Sequence, residues 1–535
     1  MESDISAKEN GKGSLGTSAK ENLTLENLGY QQELKRSYTF LDMLGFSFSI
    51  VTCWTALSGS LIIGVSSGGP PVILYGWIGT CVFTLAVACA FAEMCSRWPV
   101  AGGQYSWVAL MAPKKISREM SYVTGWFMLM GIIAMGAVNN SFVSNFILGQ
   151  ANLVFPQYTI ERWQSVLVAY AAALIGGAVN IWAPQIMHRM ARAVFLWNIC
   201  SFIIITVVLL ATNDHKQSAQ FVFQDFQNET GFGTAMATVL GILQSFFGMC
   251  CYDTPVHMTE EMTHASRDAP RAIVLSVAVG AVTGFVFLVT LCFCIGDISS
   301  TADTSTGVPV IQIFYDSTNS KVGTCFMASM ITVIMIVSTN SLVADGSRSL
   351  FAFARDHGLP FSSVLSRVDR KNHVPVYAIL VTVVIQMAFN SIYFGTVTGF
   401  NTIVSIATTG FYASYALALL ARLLGYLFRD RSSTNSKLVF TGSLWSLSLP
   451  VSLSMNALGF AFLLFAFITF NFPSEAPVTE ESMNYTSAAI GVIALLSLIT
   501  WFTTGHRHFH GPAEVREYGH EQQENEAVEV EQTKS

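Results

Sequence analysis

The sequence predicts an all-α integral membrane protein: twelve transmembrane helices, organised as a five-plus-five inverted repeat with two further helices at the C-terminal end. Three observations predict it. Hydrophobic residues make up 52% of the 535 and charged residues only 12%, against about 25% charged in a typical soluble domain. Twelve apolar windows long enough to span a bilayer follow one another along the chain. Only the first and the sixth are interrupted by glycine, proline and polar side chains. This composition excludes a soluble enzyme and a disordered chain, and 28 Lys+Arg against 34 Asp+Glu offers no basic surface for nucleic acid.

In chain order, residues 1–43 read as a polar cytoplasmic leader, expected to be disordered. It lacks the short basic start and cleavage site of a secretory signal, so span 1 itself should direct insertion. A hydrocarbon core of about 30 Å takes roughly 20 helical residues, and every backbone group must be satisfied within the segment. Spans 1 to 5 are expected at 44–65, 72–94, 120–146, 164–184 and 193–211, forming a first unit over 44–211. Spans 6 to 10, at 235–258, 273–295, 322–343, 375–394 and 400–424, form the second unit over 235–424. Spans 11 and 12, at 448–470 and 486–502, complete the membrane part, and 503–535 is an acidic tail. The ten cysteines lie in or at the ends of apolar runs and show no zinc-ligand spacing, so packing is their expected role and neither a disulfide framework nor a metal is expected.

Twelve spans divide the cations 25 to 3, with only Arg162, Lys216 and Lys321 on the side away from the termini. That asymmetry places both termini in the cytoplasm. The sequons at Asn228 and Asn484 then fall outside, where glycosylation is possible, whereas the one at Asn22 falls in the leader and should be silent.

Span 1 carries Thr52-Cys53-Trp54-Thr55 and then Ser58-Gly59-Ser60, and span 6 carries Phe247-Gly248-Met249-Cys250-Cys251-Tyr252-Asp253-Thr254-Pro255. Both are poor helix centres, since Pro255 removes a donor and Gly248 loosens the turn before it. A merely kinked helix is the plain alternative. The placement favours interruption: five spans separate the two, an odd number, so a repeated five-helix unit re-enters from the opposite face. Two such interrupted helices expose backbone dipoles near the midplane, where a small polar ligand can be held. Asp253 is the one acid well within an apolar span and is expected to face a cavity or a partner.

The run from Glu93 to Tyr105, with Pro99 and Gly102-Gly103, resembles the E-x(5)-P-x-x-G-G-x-Y signature after span 2 of the amino acid-polyamine-organocation superfamily. Ser347 to Pro360 looks like that superfamily's signature after span 8, and Tyr252 to Glu261 with Arg267 to Ile273 is closest to fungal-type amino acid/choline permeases. The resemblance covers about residues 29–502 and implies the inverted-repeat fold of the leucine transporter, alternating access and a substrate site between spans 1, 3, 6, 8 and 10. It carries the unwound part of span 1 onto Thr52, Cys53, Trp54 and Thr55, and that of span 6 onto Phe247, Gly248, Met249, Cys250, Cys251, Tyr252 and Asp253. Cys53-Trp54 stand where relatives have glycines, and Asn198 stands about where some relatives place a proton-linked lysine. Gly102, Gly103, Pro99 and Tyr105 are expected to shape the cytoplasmic closure, with Glu260, Glu261, Arg267, Asp268 and Arg271 supplying a solvated face and gate ion pairs. Asn139 and Asn140 are either interhelical hydrogen-bond glue or site-lining groups.

The expected function is secondary active import of a small amine-bearing solute, an amino acid or a choline- or γ-aminobutyrate-like compound. A sensor that binds without transport is the alternative. No phosphate loop or catalytic triad is present, so no enzyme activity or cofactor is expected and an ion gradient should drive transport. Protons are expected through Asp253, with Ser338, Thr339 and Ser341 as the hydroxyls that sodium would use. Trp54, Phe247 and Tyr252 are expected either to converge on a cationic head group or to act as hydrophobic gates.

Overall fold

The computed structural model describes residue 25 and residues 30–51, 53–302, 304–394, 398–428, 445–479 and 483–511, without the side chains at 60, 62, 63, 299 and 398–401. Thr52, the Asn22 sequon and the acidic tail from residue 512 lie outside the described residues. Among the described residues eleven helices are long and apolar enough to cross a membrane. The expected sixth span is missing from that set because its helix, Thr234–Gly248, ends half-way and resumes only as Thr254–His257.

Span 1 is also in two pieces, Phe40–Ile50 and Cys53–Ser66. The helix leaves its path at Val51 (ψ 44°), earlier than expected, so Cys53, Trp54 and Thr55 belong to the second piece. No glycine or proline marks the place. Ile50 and Val51 lead into it, a pair as common inside apolar helices as at their ends. In span 6 the interruption is Met249 to Asp253, so Phe247 and Gly248 are helical. Cys251 sits at φ +65°, a left-handed backbone that reverses the chain, and Pro255 follows at the start of the next helix, where no N–H is required.

The remaining spans are Gly69–Arg97, Ser117–Val154, Arg162–Trp182, Pro184–Thr212, Ala265–Cys294, Lys321–Arg355, Val376–Ser391, Thr398–Leu427, Leu449–Thr469 and Thr486–Thr500. Span 8 outruns its apolar window by twelve residues because the polar residues of its end are paired: Arg348 with Glu261 (2.7 Å) and Arg355 with Glu260 (2.8 Å). A short helix of eight to ten residues lies between the second and third spans of each unit, Gln104–Met111 in the first and Pro309–Thr318, after the five-residue Ile298–Ala302, in the second. Both units therefore run in the same order: broken span, long span, short helix, three further spans. Five crossings per unit put the second in the opposite sense. Span 3 packs along spans 8 and 10, and span 2 along span 7.

The leader is not free throughout. Leu34 and Tyr38 are buried, Tyr30 donates to Asp356 (2.8 Å), Gln32 donates to the Glu260 carbonyl (2.7 Å), and the Ser37 and Tyr38 amides donate to the Glu261 carbonyl. Burial, then the Asp356 carboxylate beside it, push the Tyr30 phenol well above its ordinary value, so it stays a donor. At the other end span 12 continues through Trp501–Gly505 to His508, and Phe509 is fully buried against Tyr105, Tyr122 and Phe353. Residues 30–38 and 505–511, from the described parts of the two terminal segments, thus dock on one face, the terminal face.

The two sequons share the opposite face, since the loops that carry them touch through Ala476 N–H and the Thr230 carbonyl (2.7 Å). Asn228 is exposed and its amide makes one bond, to the Phe232 carbonyl, whereas Asn484 is half-buried with its amide held by the Phe470 and Phe472 carbonyls. Asn228→Gln is therefore expected to abolish a glycosidase-sensitive gel shift that Asn484→Gln leaves in place. A shift lost only in the Asn484 variant would reverse that assignment.

Candidate substrate and coupling site

The two interruptions meet. Cys53 Sγ lies 3.8 Å from Met249 Sδ, joining the start of the second half of span 1 to the first non-helical residue of span 6. A Cβ on Gly248 would come within 3.0 Å of Trp77 and Leu57, so glycine is what lets the end of the first half-helix lie against spans 1 and 2. Cys250 Sγ donates to the Phe247 carbonyl (2.9 Å), taking up an acceptor that the ended helix leaves open. The Tyr252 hydroxyl is buried without a hydrogen-bond partner, a costly arrangement unless a polar group can approach it.

Asp253 is fully buried and heavily satisfied. It accepts from Gln104 Nε2 (2.5 Å), from the Tyr415 hydroxyl of span 10, and faces His257 Nε2 at 3.1 Å. The other imidazole nitrogen, Nδ1, lies 2.9 Å from the Ala101 carbonyl in the loop after span 2. Gly103 of that loop sits at φ +57°, and a Cβ there would stand 2.8 Å from the imidazole, so this glycine lets the loop close on His257. Asp345 of span 8 approaches from the other side, with Oδ2 at 3.4 Å from the Thr254 hydroxyl and Oδ1 unpartnered.

Other expected residues go elsewhere. Trp54 donates its indole N–H to Asn198 of span 5 (2.7 Å) and packs on Phe202 and Phe287. Phe247 packs on Phe142, and Tyr252 on Phe91 and Tyr415. The three rings therefore stand in three separate clusters and build no common cation cage. Asn139 donates to the Met335 carbonyl and the Thr339 hydroxyl, while Asn140 donates to Gln386 and accepts from Thr339, so as interhelical glue Asn139 ties span 3 to span 8 and Asn140 ties it to spans 8 and 9. Thr339 is thereby turned away from span 1. Ser338 instead donates to the Ser49 carbonyl, and Ser341 shares a hydroxyl contact with Ser49 (2.9 Å). Among the described residues no group of three or more His, Cys, Asp or Glu is arranged to hold a metal.

Residues 38–495 match the family model described as amino acid permease. The chain belongs to the amino acid permease family. A protein of Macrophomina phaseolina named for amino acid/polyamine transport is 58% identical over 447 residues, 84% of this chain and 97% of that one. An amino-acid permease homologue of Oryza sativa subsp. japonica is 30% identical, over 91% of this chain and 94% of its own. The choline transporter of Saccharomyces cerevisiae is 27% identical, over 89% and 83% respectively. The protein is thus a multi-pass membrane permease, and the sensor alternative gains no support.

Within this permease the first and last residues of the signature after span 2 are scaffolding, while Ala101, Gly103 and Gln104 between them meet the site. Glu93 pairs with Arg422 of span 10 (2.9 Å) and accepts from the Leu447 amide and the Ser452 hydroxyl, and Tyr105 donates to Asp356 at the end of span 8 (2.9 Å). Sequence reasoning missed His257, Gln104, Asp345 and Tyr415. His257 carried a usable signal, since it stands four residues after Asp253, on the same face of a helical turn. Asp345 was cut off with the apolar window that ended at Val343, and nothing in the sequence distinguishes Gln104 or Tyr415.

Proposed function

We propose that this permease imports a small amine-bearing solute, an amino acid or a choline- or γ-aminobutyrate-like compound, by alternating access around the paired breaks of spans 1 and 6. The observation that carries the reading is the meeting of those breaks at Cys53 and Met249, beside the unpartnered Tyr252 hydroxyl and the buried Asp253. Non-helical backbone at membrane depth is tolerated where it lines a cavity or is buried in protein, and paired breaks are where transporters bind solute. Buried carboxylates favour an amine over an anion, and the relatives are named for amino acids, polyamines and choline. With the aromatic cage dispersed, nothing favours a quaternary amine over an amino acid.

Protons are the driving ion in this reading. Asp253 faces a titratable imidazole, whereas of the hydroxyls that sodium would use, Ser338 and Ser341 bond span 8 to Ser49 of span 1 and Thr339 is taken up by Asn139 and Asn140. The terminal face is cytoplasmic, the membrane is the plasma membrane, and the repeats occupy 44–211 and 235–424. Uptake of labelled amino acids, γ-aminobutyrate, choline and polyamines into transporter-deficient cells tests the substrate class. Saturable accumulation of at least one is expected, abolished by a protonophore and indifferent to sodium; accumulation that needs sodium and survives the protonophore would overturn the coupling.

A further inference from the structure

A carbonyl oxygen only accepts, so the contact of His257 Nδ1 with Ala101 requires a hydrogen on Nδ1. Nε2 then faces the Asp253 carboxylate at 3.1 Å, and two sets of lone pairs would repel. One proton must lie between Nε2 and Oδ2, whether as imidazolium with carboxylate or as imidazole with carboxylic acid. Either form is neutral as a pair. Removing that proton would leave a net negative charge in a site that is 0% exposed at both side chains, which is strongly unfavourable in a dry interior.

We infer that His257, together with Asp253, holds the transported proton and releases it when the terminal face opens, because the same imidazole is a contact that closes that face. The inference rests on the proton-coupled reading above and gives the proton an address. The half-helix Thr254–His257 is fastened to the loop of Ala101 and Gly103 by the imidazole, and to Gln104 through Asp253. Opening the terminal face must part the half-helix from that loop, which breaks both bonds together and admits water. The proton then passes from between Nε2 and Oδ2 to water, leaving a neutral imidazole and a carboxylate, and no other bond is made or broken. While the face is closed the neighbours oppose its loss. Asp345 on span 8 approaches through the Thr254 hydroxyl, with Oδ1 unpartnered, and the Tyr415 hydroxyl of span 10 donates to Asp253 on the other oxygen from His257, while the Tyr252 hydroxyl is buried without a partner. The nearby cations are engaged: Arg348 with Glu261 and Arg355 with Glu260. On the other elements packed against the half-helix, Asp42 of span 1 is paired with Arg192 and Asp268 of span 7 with Arg267.

The test is His257→Gln in proteoliposomes, with counterflow of labelled solute at equal pH and net accumulation under a pH difference measured side by side. The unaltered protein should do both, reaching up to about tenfold accumulation per pH unit for one proton per solute. His257→Gln is expected to continue counterflow while its accumulation ratio falls to about 1 and its uptake no longer varies across about pH 5 to 8. Accumulation and pH dependence like those of the unaltered protein would overturn the inference. If His257→Gln fails to exchange, His257→Arg, which keeps a cation against Asp253, is read in the same way; exchange without accumulation supports the assignment, and loss of exchange in both variants overturns it. Counterflow in the unaltered protein that ignores a pH difference would also overturn it, leaving solute transport itself intact. Absence of counterflow for every solute would instead remove the transport reading.

Discussion

Arg422→Leu should destabilise the folded permease by about 3–5 kcal/mol, because it strands a buried carboxylate. Glu93 and Arg422 are 1% and 2% exposed and 2.9 Å apart. The Leu447 amide and Ser452 hydroxyl also donate to Glu93, so three elements converge on that one carboxylate: span 2, span 10 and the start of span 11. Their bonds do not replace the lost cation. The measurement is the thermal unfolding midpoint in detergent, with the yield of monodisperse protein as a second readout. Glu93→Gln in the same background removes the uncompensated charge while keeping an acceptor, and it should recover more than half of the loss. A double variant no more stable than Arg422→Leu would show that the two side chains are not coupled, and that Arg422 acts through its other contacts or its packing.

The fold was legible because a bilayer imposes a length and an apolar composition on every span, and both are local properties of the chain. The interruption of span 6 was legible for a related reason, since Gly248 and Pro255 bracket it in the sequence. The interruption of span 1 was misplaced because no glycine or proline marks it, and Ile50-Val51 are equally at home in an ordinary apolar helix. The site was less legible. Trp54 and Asn139 look alike from the sequence as polar or aromatic groups within spans, yet which way each faces depends on a neighbour far along the chain, Asn198 in one case and Thr339 in the other. Asp253 was visible as a lone acid. That it shares a proton with His257, under a loop drawn close by Gly103, depends on packing that no window of sequence contains.

Arg355→Ala should loosen the terminal face. Arg355 forms a two-pronged pair with Glu260 (2.9 and 2.8 Å) and lies over the Tyr30 ring at 4.1 Å, while the adjacent Asp356 holds the hydroxyls of Tyr30 and Tyr105. Through this one guanidinium, three pieces of the closed face are joined: span 8, the turn Thr259–Glu261 that follows span 6, and the leader strap. If breaking a buried pair costs the closed state about 3–5 kcal/mol, its advantage over an open state falls by a factor of about 10² to 5 × 10³. Hydrogen exchange read by mass spectrometry should report this at the Ser37 and Tyr38 amides, whose acceptor is the Glu261 carbonyl. Peptides over 30–38 and 259–263 are expected to exchange at least about tenfold faster in Arg355→Ala, while peptides from span 3 stay unchanged. Arg355→Lys keeps the charge but not the fork, so it should fall between the two. Unchanged exchange over 30–38 in Arg355→Ala would mean that Leu34 and Tyr38, both buried, hold the strap by packing alone, and that the ion pair is not what keeps the face shut.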